Sequence, residues 1–227
     1  MSPNPPYALS PKQITLDAIS IGLATGTYGI SFGAISSVAG FSFWQTQTLS
    51  LLLFSGASQF AYVSVIAAGG SVTSAIATAA LLGVRNGLYG MRIAQLLIPK
   101  LSQRVWYAHL TIDESTAMAN RFDQSQQSAK RAFLATGISV FVFWNIATAL
   151  GFLLAQSITS PEVIGLDAAI GAGFFALVAP RLTTKEHKVT ALIAVAIAIS
   201  FTPVLPAGVP ILVAALSAAL IAVRGGK

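Results

Sequence analysis

Residues 50–98 read SLLLFSGASQFAYVSVIAAGGSVTSAIATAALLGVRNGLYGMRIAQLLI, and this stretch decides the class of fold. It is long enough and apolar enough to cross a lipid bilayer, yet it contains Ser-Gly-Ala-Ser-Gln and Arg-Asn. An arginine at the centre of a membrane helix costs roughly 2.5 to 3.5 kcal/mol on insertion scales. Arg85, with Gln59 upstream, therefore indicates a polar interior that handles a solute.

The composition is that of an integral membrane protein. Of the 227 residues, 55% are hydrophobic and 9% are charged, whereas a soluble domain has about 25% charged residues. One span needs about 20 apolar residues, so the chain has room for about seven crossings and no sizeable aqueous domain. The first dozen residues hold four prolines and do not match a cleaved signal peptide. The chain has no cysteine, which excludes disulfides and thiolate metal sites.

Prolines divide the chain into segments that predict an all-α protein of about seven transmembrane helices. The predicted helices cover 14–39, 45–68, 72–98, 133–157, 164–180, 189–203 and 209–224. Grouped by composition, they give an N-terminal tail (1–13), a first three-helix unit (14–98), a polar connecting segment (99–131), a second three-helix unit (132–203) and a final helix with its tail (204–227). Within the connecting segment, residues 103–131 contain three of the seven acidic residues. They predict an interfacial or cavity-facing helix followed by a cytoplasmic loop.

The orientation is predicted from lysine and arginine positions. The excess of basic residues in cytoplasmic loops favours an outside N-terminus and an inside C-terminus. The rival arrangement has an inside N-terminus and an eighth crossing over 103–120. A similarity between residues 54–63 and 169–178 predicts three-helix repeats of opposite orientation, as in many secondary transporters. Any two spans rich in Gly, Ala and Phe also align this well by chance.

A stripe of small residues on the first helix predicts close helix packing, because such residues let a second backbone approach. Its members are Gly22, Gly26, Gly29 and Gly33, and Gly171 and Gly173 repeat the device in the fifth helix.

The first candidate site lies on the helix predicted at 45–68. Ser55, Ser58, Gln59 and Tyr62, at spacings of three and four, occupy adjacent faces of that helix. Gly56 favours local unwinding, and a broken helix exposes backbone N–H and C=O groups that hold the charged ends of an amino acid. The alternative is that Ser and Gln bond only to neighbouring helices.

The second candidate site is centred on Arg85, which lies about three helical turns before Pro99. Arg85 and Tyr89 share a face. The arginine either pairs with a carboxylate of the chain or holds a substrate carboxylate in a bidentate fork. The candidate carboxylates are Asp113, Glu114 and Asp167, and a first-turn structural role is favoured for Asp167.

Asp113 and Glu114 are also candidates for carrying a coupling proton, and a solvated interfacial acid is the alternative role for them. Asn145, in the middle of an apolar helix, needs a polar partner in another helix or in a cavity.

Several motifs, taken in order between about residue 15 and residue 224, together resemble the AzlC-type large subunit (also called BrnF or YgaZ) of branched-chain amino acid exporters. They are LLLFSGASQFA, VRNGLYGMRI, LTIDES, Trp-Asn with a following Leu-Gly, and GLDAAIGAGFFAL. The chain departs from the family pattern at Asn86, where His is common, and at Gly83, where Asn is usual. Arg85, Tyr89 and Gly90 match that pattern.

The resemblance implies export of valine, leucine and isoleucine, with methionine as a further candidate, through the inner membrane of a prokaryote. It also implies a complex with a small hydrophobic AzlD-type subunit. Export against a gradient needs coupling, most simply to protons, and a membrane potential supplies about 2.3 kcal/mol per charge per 100 mV.

Other functional classes follow from what the residues offer. A channel or permease for another small solute and a structural membrane subunit stay open as alternatives. An enzyme is not expected, because the sequence contains no HExxH, no P-loop and no Ser with a nearby base. We expect no cofactor, no metal and no nucleic acid partner.

Overall fold

The computed structural model describes residues 10–157, 179, 182–206 and 209–216. Within these ranges the chain is helical. The helices are α1 (Pro11–Val38), α2 (Phe43–Leu52), α3 (Gly56–Ala67), α4 (Val72–Leu97), α5 (Arg104–His109), α6 (Asp113–Arg121), α7 (Gln126–Gln156) and α8 (Lys185–Phe201), with a 3-10 turn at Leu101–Gln103. Residues 209–216 are also helical.

The closest helix pair in the described chain is α1 with α7. Four glycines of α1 lie at this contact: Gly22, Gly26, Gly29 and Gly33. A Cβ atom on Gly29 would lie 2.7 Å from the carbonyl oxygen of Trp144, which is closer than such atoms approach. The glycines are needed here because the two backbones touch, which is how apolar helices associate without a hydrophobic driving force in lipid.

The helices α1 and α7 run in the same direction. Gly22 lies against Ser139, and further along both helices Gly33 lies against Thr148. Among the described residues, these two helices are long and apolar enough to cross a membrane. α4 has a comparable length of 26 residues, but it is less apolar because it carries charged and amide side chains.

The segment predicted as one helix at 45–68 is two helices, α2 and α3, which form a splayed hairpin that we call the first hairpin. The ring of Phe43, at the start of α2, packs against Phe152, and the ring of Phe54 packs against Phe141. α2 therefore runs alongside α7 from Phe152 towards Phe141, and the chain turns at residues 53–55. α3 runs back in the opposite direction, because Tyr62 lies against the ring of Phe41 at the end where α2 begins.

A second hairpin, formed by α5 and α6, enters from the opposite end. Tyr107 stacks on Phe133 and His109 packs on Phe141, so α5 advances towards the middle of α7. After a turn at residues 110–112, α6 returns, and Arg121 at its end pairs with Asp17 near the start of α1 at 3.3 Å. The predicted interfacial helix and loop are thus a hairpin, and α7 begins at residue 126 rather than 133 because Ser125 caps it.

The length of the hairpin arms explains why they turn back. α2 and α3 have 10 and 12 residues, which at 1.5 Å per residue is about 15 and 18 Å, or roughly half of a 30 Å hydrocarbon layer. Each hairpin therefore reaches the middle of the fold and returns to the end it entered from.

The hairpins correct the predicted topology. α4 begins beside the end of α1, and its Arg92 bonds Asn120 near the end of α6 at 3.0 Å, so α4 runs opposite to α1 and α7. The first 97 residues contain two full-length helices and not three, and 103–120 makes no eighth crossing. The start of α1 and the connecting segment 99–131 consequently lie at the same end of the molecule, which contradicts the basis of the outside N-terminus.

Some predictions lie outside the described residues. They are the helix at 164–180 with Gly171, Gly173 and Asp167, the repeat partner at 169–178, and the last part of the helix at 209–224. The seven-helix count and the boundaries of the later units stay predictions. α8 covers most of the helix predicted at 189–203 and begins earlier because Thr184 caps it.

Candidate functional site

The tips of the two hairpins meet halfway along α7 and enclose a cavity. The rings of Phe54 in the first tip and His109 beside the second lie 5.7 Å apart, and both contact Phe141. Between the tips is a space of about 220 Å³, which we call the central cavity. Its lining residues are Thr25, Tyr28, Phe54, Ser55, Gly56, Ala57, Leu82, Arg85, Asn86, Ile112, Asp113, Glu114, Val140 and Trp144.

An ion pair crosses one side of the central cavity. Arg85 of α4 donates from Nη1 to Oδ2 of Asp113 at 2.8 Å, and the two side chains are 28% and 21% exposed. Asp113 is the first residue of α6, where a carboxylate also complements the helix dipole. The Nε of Arg85 is buried without an acceptor among the described residues. The pair thus fixes the second hairpin to α4 through one guanidinium nitrogen and leaves Nε as an unused donor.

The N-terminus of α3 supplies a second polar element of the cavity wall. Ser55 occupies the N-cap position but makes no capping bond, and its hydroxyl instead donates to Ser58 Oγ at 3.3 Å. By contrast, Ser42 caps α2 in a reciprocal box with Gln45. The first N–H groups of α3 are therefore not satisfied by a side-chain cap, and they carry the positive end of a helix dipole.

The remaining wall is apolar. Phe54, Leu82 and Val140 line it together with Trp144. Trp144 is 4% exposed, and its ring would meet a Cβ on Gly56 at 3.0 Å, so only a glycine leaves that approach open. Its Nε1 is buried with no acceptor in the described part of the chain. The cavity thus combines a small apolar surface with charged and dipolar groups.

The structure brings together five of the residues predicted for the site. Ser55, Gly56, Arg85, Asp113 and Glu114 all line the central cavity. Four others predicted for substrate binding, namely Ser58, Gln59, Tyr89 and Asn145, are not among its described lining residues. The residues it unites come from α3, α4 and α6. The sequence predicted a carboxylate partner for Arg85, but it did not predict that Ser55 and Gly56 lie beside that pair.

Asn145 and Gln59 are buried but lie outside the described lining of the central cavity. The Asn145 side-chain amide donates to the Phe141 carbonyl within its own helix at 2.8 Å, while its Oδ1 is buried without a partner among the described residues. The backbone carbonyl oxygen of Asn145 accepts from Gln47 at 3.2 Å and so joins α7 to α2 of the first hairpin. Gln59 is fully buried behind the start of α3, and its amide atoms have no partner in the described residues.

The sequence did not identify the contribution of α1 to the site. Thr25 and Tyr28 face the central cavity, while the glycines of the same helix face α7. The spacing of these two polar residues, three positions apart in an apolar helix, could have predicted that they share a polar face. Phe54 was also missed, because the sequence does not distinguish an aromatic residue that lines a cavity from one that packs in the core.

A second cavity, of about 520 Å³ and more open than the first, lies on the other side of the first tip, and Leu52 and Val105 in its lining are each 75% exposed. It is bounded by the first hairpin, α4 and α5, and its lining includes Ser58, Gly83 and His109. In the described ranges, no group of three or more His, Cys, Asp or Glu is arranged to hold a metal ion.

Comparison with known proteins places the same region in one family. Residues 20–158 match the family described as "AzlC protein". This range contains both hairpins, α4, α7 and most of α1, which together form the central cavity. No solved structure matches the chain.

The related sequences are named as membrane proteins. An "Uncharacterized membrane protein" of Archaeoglobus fulgidus is 28% identical over 199 residues, covering 87% of each chain. "Inner membrane protein YgaZ" of Escherichia coli is 26% identical over 140 residues, covering 60% of this chain and 57% of that protein. A Helicobacter pylori "Uncharacterized membrane protein" is 22% identical over 75% of each chain. Together with the apolar helices α1 and α7, these matches identify the chain as a membrane protein.

Proposed function

This chain belongs to the AzlC family, and from that premise we propose that it is a transporter that exports branched-chain amino acids from the cytoplasm. The substrates are valine, leucine and isoleucine, with methionine as a further candidate. It is not an enzyme in this proposal.

One observation carries the proposal, namely the central cavity enclosed by the tips of two half-length hairpins. Broken helices that meet at the membrane midplane are how many secondary transporters build a solute site. The space of about 220 Å³ suits a small solute rather than a large ligand. Its wall is apolar at Phe54, Leu82 and Val140 and charged at Arg85 and Asp113, as an amino acid with an apolar side chain requires.

The polar groups are divided in a way that suits a zwitterion. The uncapped N-terminus of α3 and the spare donors of Arg85 favour a carboxylate. Asp113 and Glu114 lie at the start of α6 and favour an ammonium group. The substrate's two charged ends would thus be held by different hairpins.

The same acids are our proposed proton carriers. A proton and the substrate's ammonium group compete for the Asp113 carboxylate, because a neutral acid no longer attracts a cation. Uptake of a proton from outside and release of the substrate there are then linked through one group, as export driven by an inward proton gradient requires. Glu114 is the alternative carrier, one residue further on and also in the cavity wall.

We propose an inside N-terminus, because basic residues lie at one end of the molecule. The end at which α1 begins, which we call the basic end, holds Lys12, Lys100, Arg104, Arg121, Lys130 and Arg131. The described loops at the opposite end, 39–42 and 68–71, contain no charged residue. Since cytoplasmic loops carry the excess of Lys and Arg, the basic end faces the cytoplasm. The second hairpin then enters from the cytoplasm and the first from outside.

A small hydrophobic AzlD-type subunit is the proposed partner. Large apolar side chains are exposed along α1, α4 and α7, such as Leu23, Val84 and Leu154, and these faces meet lipid or the subunit. The inner membrane of a prokaryote is the proposed location.

The test is leucine efflux from cells preloaded with a leucine-containing dipeptide. The strains express the chain alone, the chain with the AzlD-type subunit, and an Arg85→Ala variant with the subunit. We expect efflux to need the subunit and to slow at least about tenfold in the variant, the effect of losing roughly 1.4 kcal/mol of interaction.

The matched control is Arg92→Ala, seven residues further along the same helix. Arg92 bonds Asn120 and Asp123 in an exposed position at the basic end, so this variant should export normally. Efflux unchanged by Arg85→Ala at equal membrane levels would favour a structural subunit. Efflux that neither saturates nor responds to the proton gradient would favour a channel. No efflux in any strain would remove the branched-chain substrates.

A further inference from the structure

The central cavity and the second cavity share part of their walls. Phe54, Ser55 and Asn86 line both spaces, and we call these three residues the neck. Two come from the tip of the first hairpin and one from α4. The two spaces are therefore adjacent, and these three residues form part of their common boundary.

The two cavities differ in charge. The central cavity is lined by Arg85, Asp113 and Glu114. The described lining of the second cavity holds no Lys, Arg, Asp or Glu, and its polar side chains are the hydroxyls of Ser58 and Thr111, among others, with the Asn86 amide and the His109 imidazole. A zwitterion that moves from the central cavity to the second cavity exchanges charged partners for uncharged polar ones such as hydroxyl and amide groups. This step needs a polar group at the boundary that can bond both the ammonium and the carboxylate of the solute.

Asn86 is that group. It follows Arg85 directly, so the two side chains point about 100° apart on α4; Arg85 pairs with Asp113, while Asn86 lies between the two spaces. Its amide has a carbonyl acceptor for an ammonium group and two N–H donors for a carboxylate. A side chain with only one of these functions would favour one end of the solute.

We propose that the two cavities are consecutive stations on one path for the exported amino acid and that Asn86 selects what passes the neck. This inference rests on the proposed export function and adds the route and a specificity-determining residue. Asn86 acts after the solute has bound between the hairpin tips. Replacing its amide by an apolar group of similar size therefore lowers the maximal efflux rate more than it changes KM.

The chain has no cysteine, so a single introduced thiol reports on one position. In Asn86→Cys the thiol lies in the neck. In the control, Gly87→Cys, it lies at a position that lines neither cavity and where a Cβ meets no atom within 4 Å. Modification by N-ethylmaleimide is followed with and without leucine. Leucine at ten times its dissociation constant should slow modification at position 86 about tenfold and leave position 87 unchanged.

A second variant blocks the second cavity without touching the central one. A Cβ on Gly83 meets only Ser58 Oγ, at 3.5 Å, so Gly83→Leu fits the fold and fills the space beyond the neck. We expect this variant to bind leucine, measured by thermal shift of the purified complex, while its efflux falls at least tenfold. Asn86→Leu should likewise bind leucine and export it about tenfold more slowly, which corresponds to one lost hydrogen bond to a charged group.

The outcomes separate the two proposals. If the wild-type complex exports leucine, two results would overturn the path through the neck and leave the exporter intact. One is equal protection by leucine at positions 86 and 87, and the other is normal efflux by Gly83→Leu. Absence of leucine efflux in the wild-type complex overturns the exporter and this inference with it. Selective protection at position 86 together with blocked efflux in Gly83→Leu supports both.

Discussion

The two hairpins reach the same point from opposite ends of the molecule, but their tips are chemically different. The first hairpin enters from an end whose described loops have no charge, and its returning helix α3 begins with an uncapped N-terminus at Ser55. The second enters from the basic end, and its returning helix α6 begins with Asp113 and Glu114. One tip therefore offers unneutralised helix-dipole charge, and the other offers carboxylates.

Their attachment to the rest of the fold differs as well. The first hairpin is held by apolar and neutral contacts, including the rings of Phe60 and Phe32 at 5.6 Å. The second is fastened to α4 by Arg85 at its tip and by Arg92 at its base. A change of charge therefore alters the contacts of the second hairpin and not those of the first, and in the proposed transport cycle the second hairpin is the element that moves.

The largest expected effect concerns the ends from which the hairpins enter. A single cysteine at position 70, in the loop after the first hairpin, should be labelled by an impermeant thiol reagent applied to intact cells. A cysteine at position 102, before the second hairpin, should be labelled only after the membrane is opened. Labelling of both positions from outside would show that the hairpins do not enter from opposite faces.

The next largest expected effect is a difference in stability between two variants of the second hairpin, one at its tip and one at its base. Asp113→Ala leaves Arg85 without its partner in a half-buried position, and breaking such a pair costs about 3 kcal/mol. Asp123→Ala removes a 3.4 Å pair with exposed Arg92 and should cost less than about 1 kcal/mol. Thermal unfolding of the two variants in detergent measures the difference, and equal costs would mean that the tip pair is no more shielded than the base pair.

A double replacement sharpens the role of charge at that tip. Arg85→Gln with Asp113→Asn removes both charges and keeps groups that hydrogen bond. Stability should return to within about 1 kcal/mol of the wild type, since neither partner is left as an isolated charge. Leucine efflux should stay low, because the donor for the carboxylate and the proton carrier are both absent. A double variant that exports normally would remove the ion pair from the mechanism.

The smallest effect tests the first hairpin. Ser42→Ala should destabilise the protein by about 1 kcal/mol, because Ser42 caps α2. Ser55→Ala should cost clearly less, because Ser55 makes no capping bond, yet it should slow efflux. Unfolding midpoints and efflux rates of the two variants check this pairing, and a larger stability loss for Ser55→Ala would mean that this serine has a structural role.

The sequence predicted the break near Gly56, the depth of Arg85 and a carboxylate partner for it, because each follows from the cost of a polar group in an apolar span. It did not predict that the broken segment returns to its own end. A ten-residue arm and a full span have the same apolar composition per residue, so the direction of α3 is seen only from tertiary contacts such as that of Tyr62 with Phe41.

The class of the protein, its helical content and its glycine stripe were determined by the amino-acid sequence alone, since lipid leaves an apolar chain few ways to satisfy its backbone. The tertiary structure decided which polar residues share a cavity. Asn145 and Arg85 both interrupt apolar sequence, but the amide of Asn145 bonds within its own helix, whereas Arg85 meets Asp113 of another helix at the site. The reason is physical: local polarity sets the cost of burial, and the packing of distant helices sets the partner that offsets it.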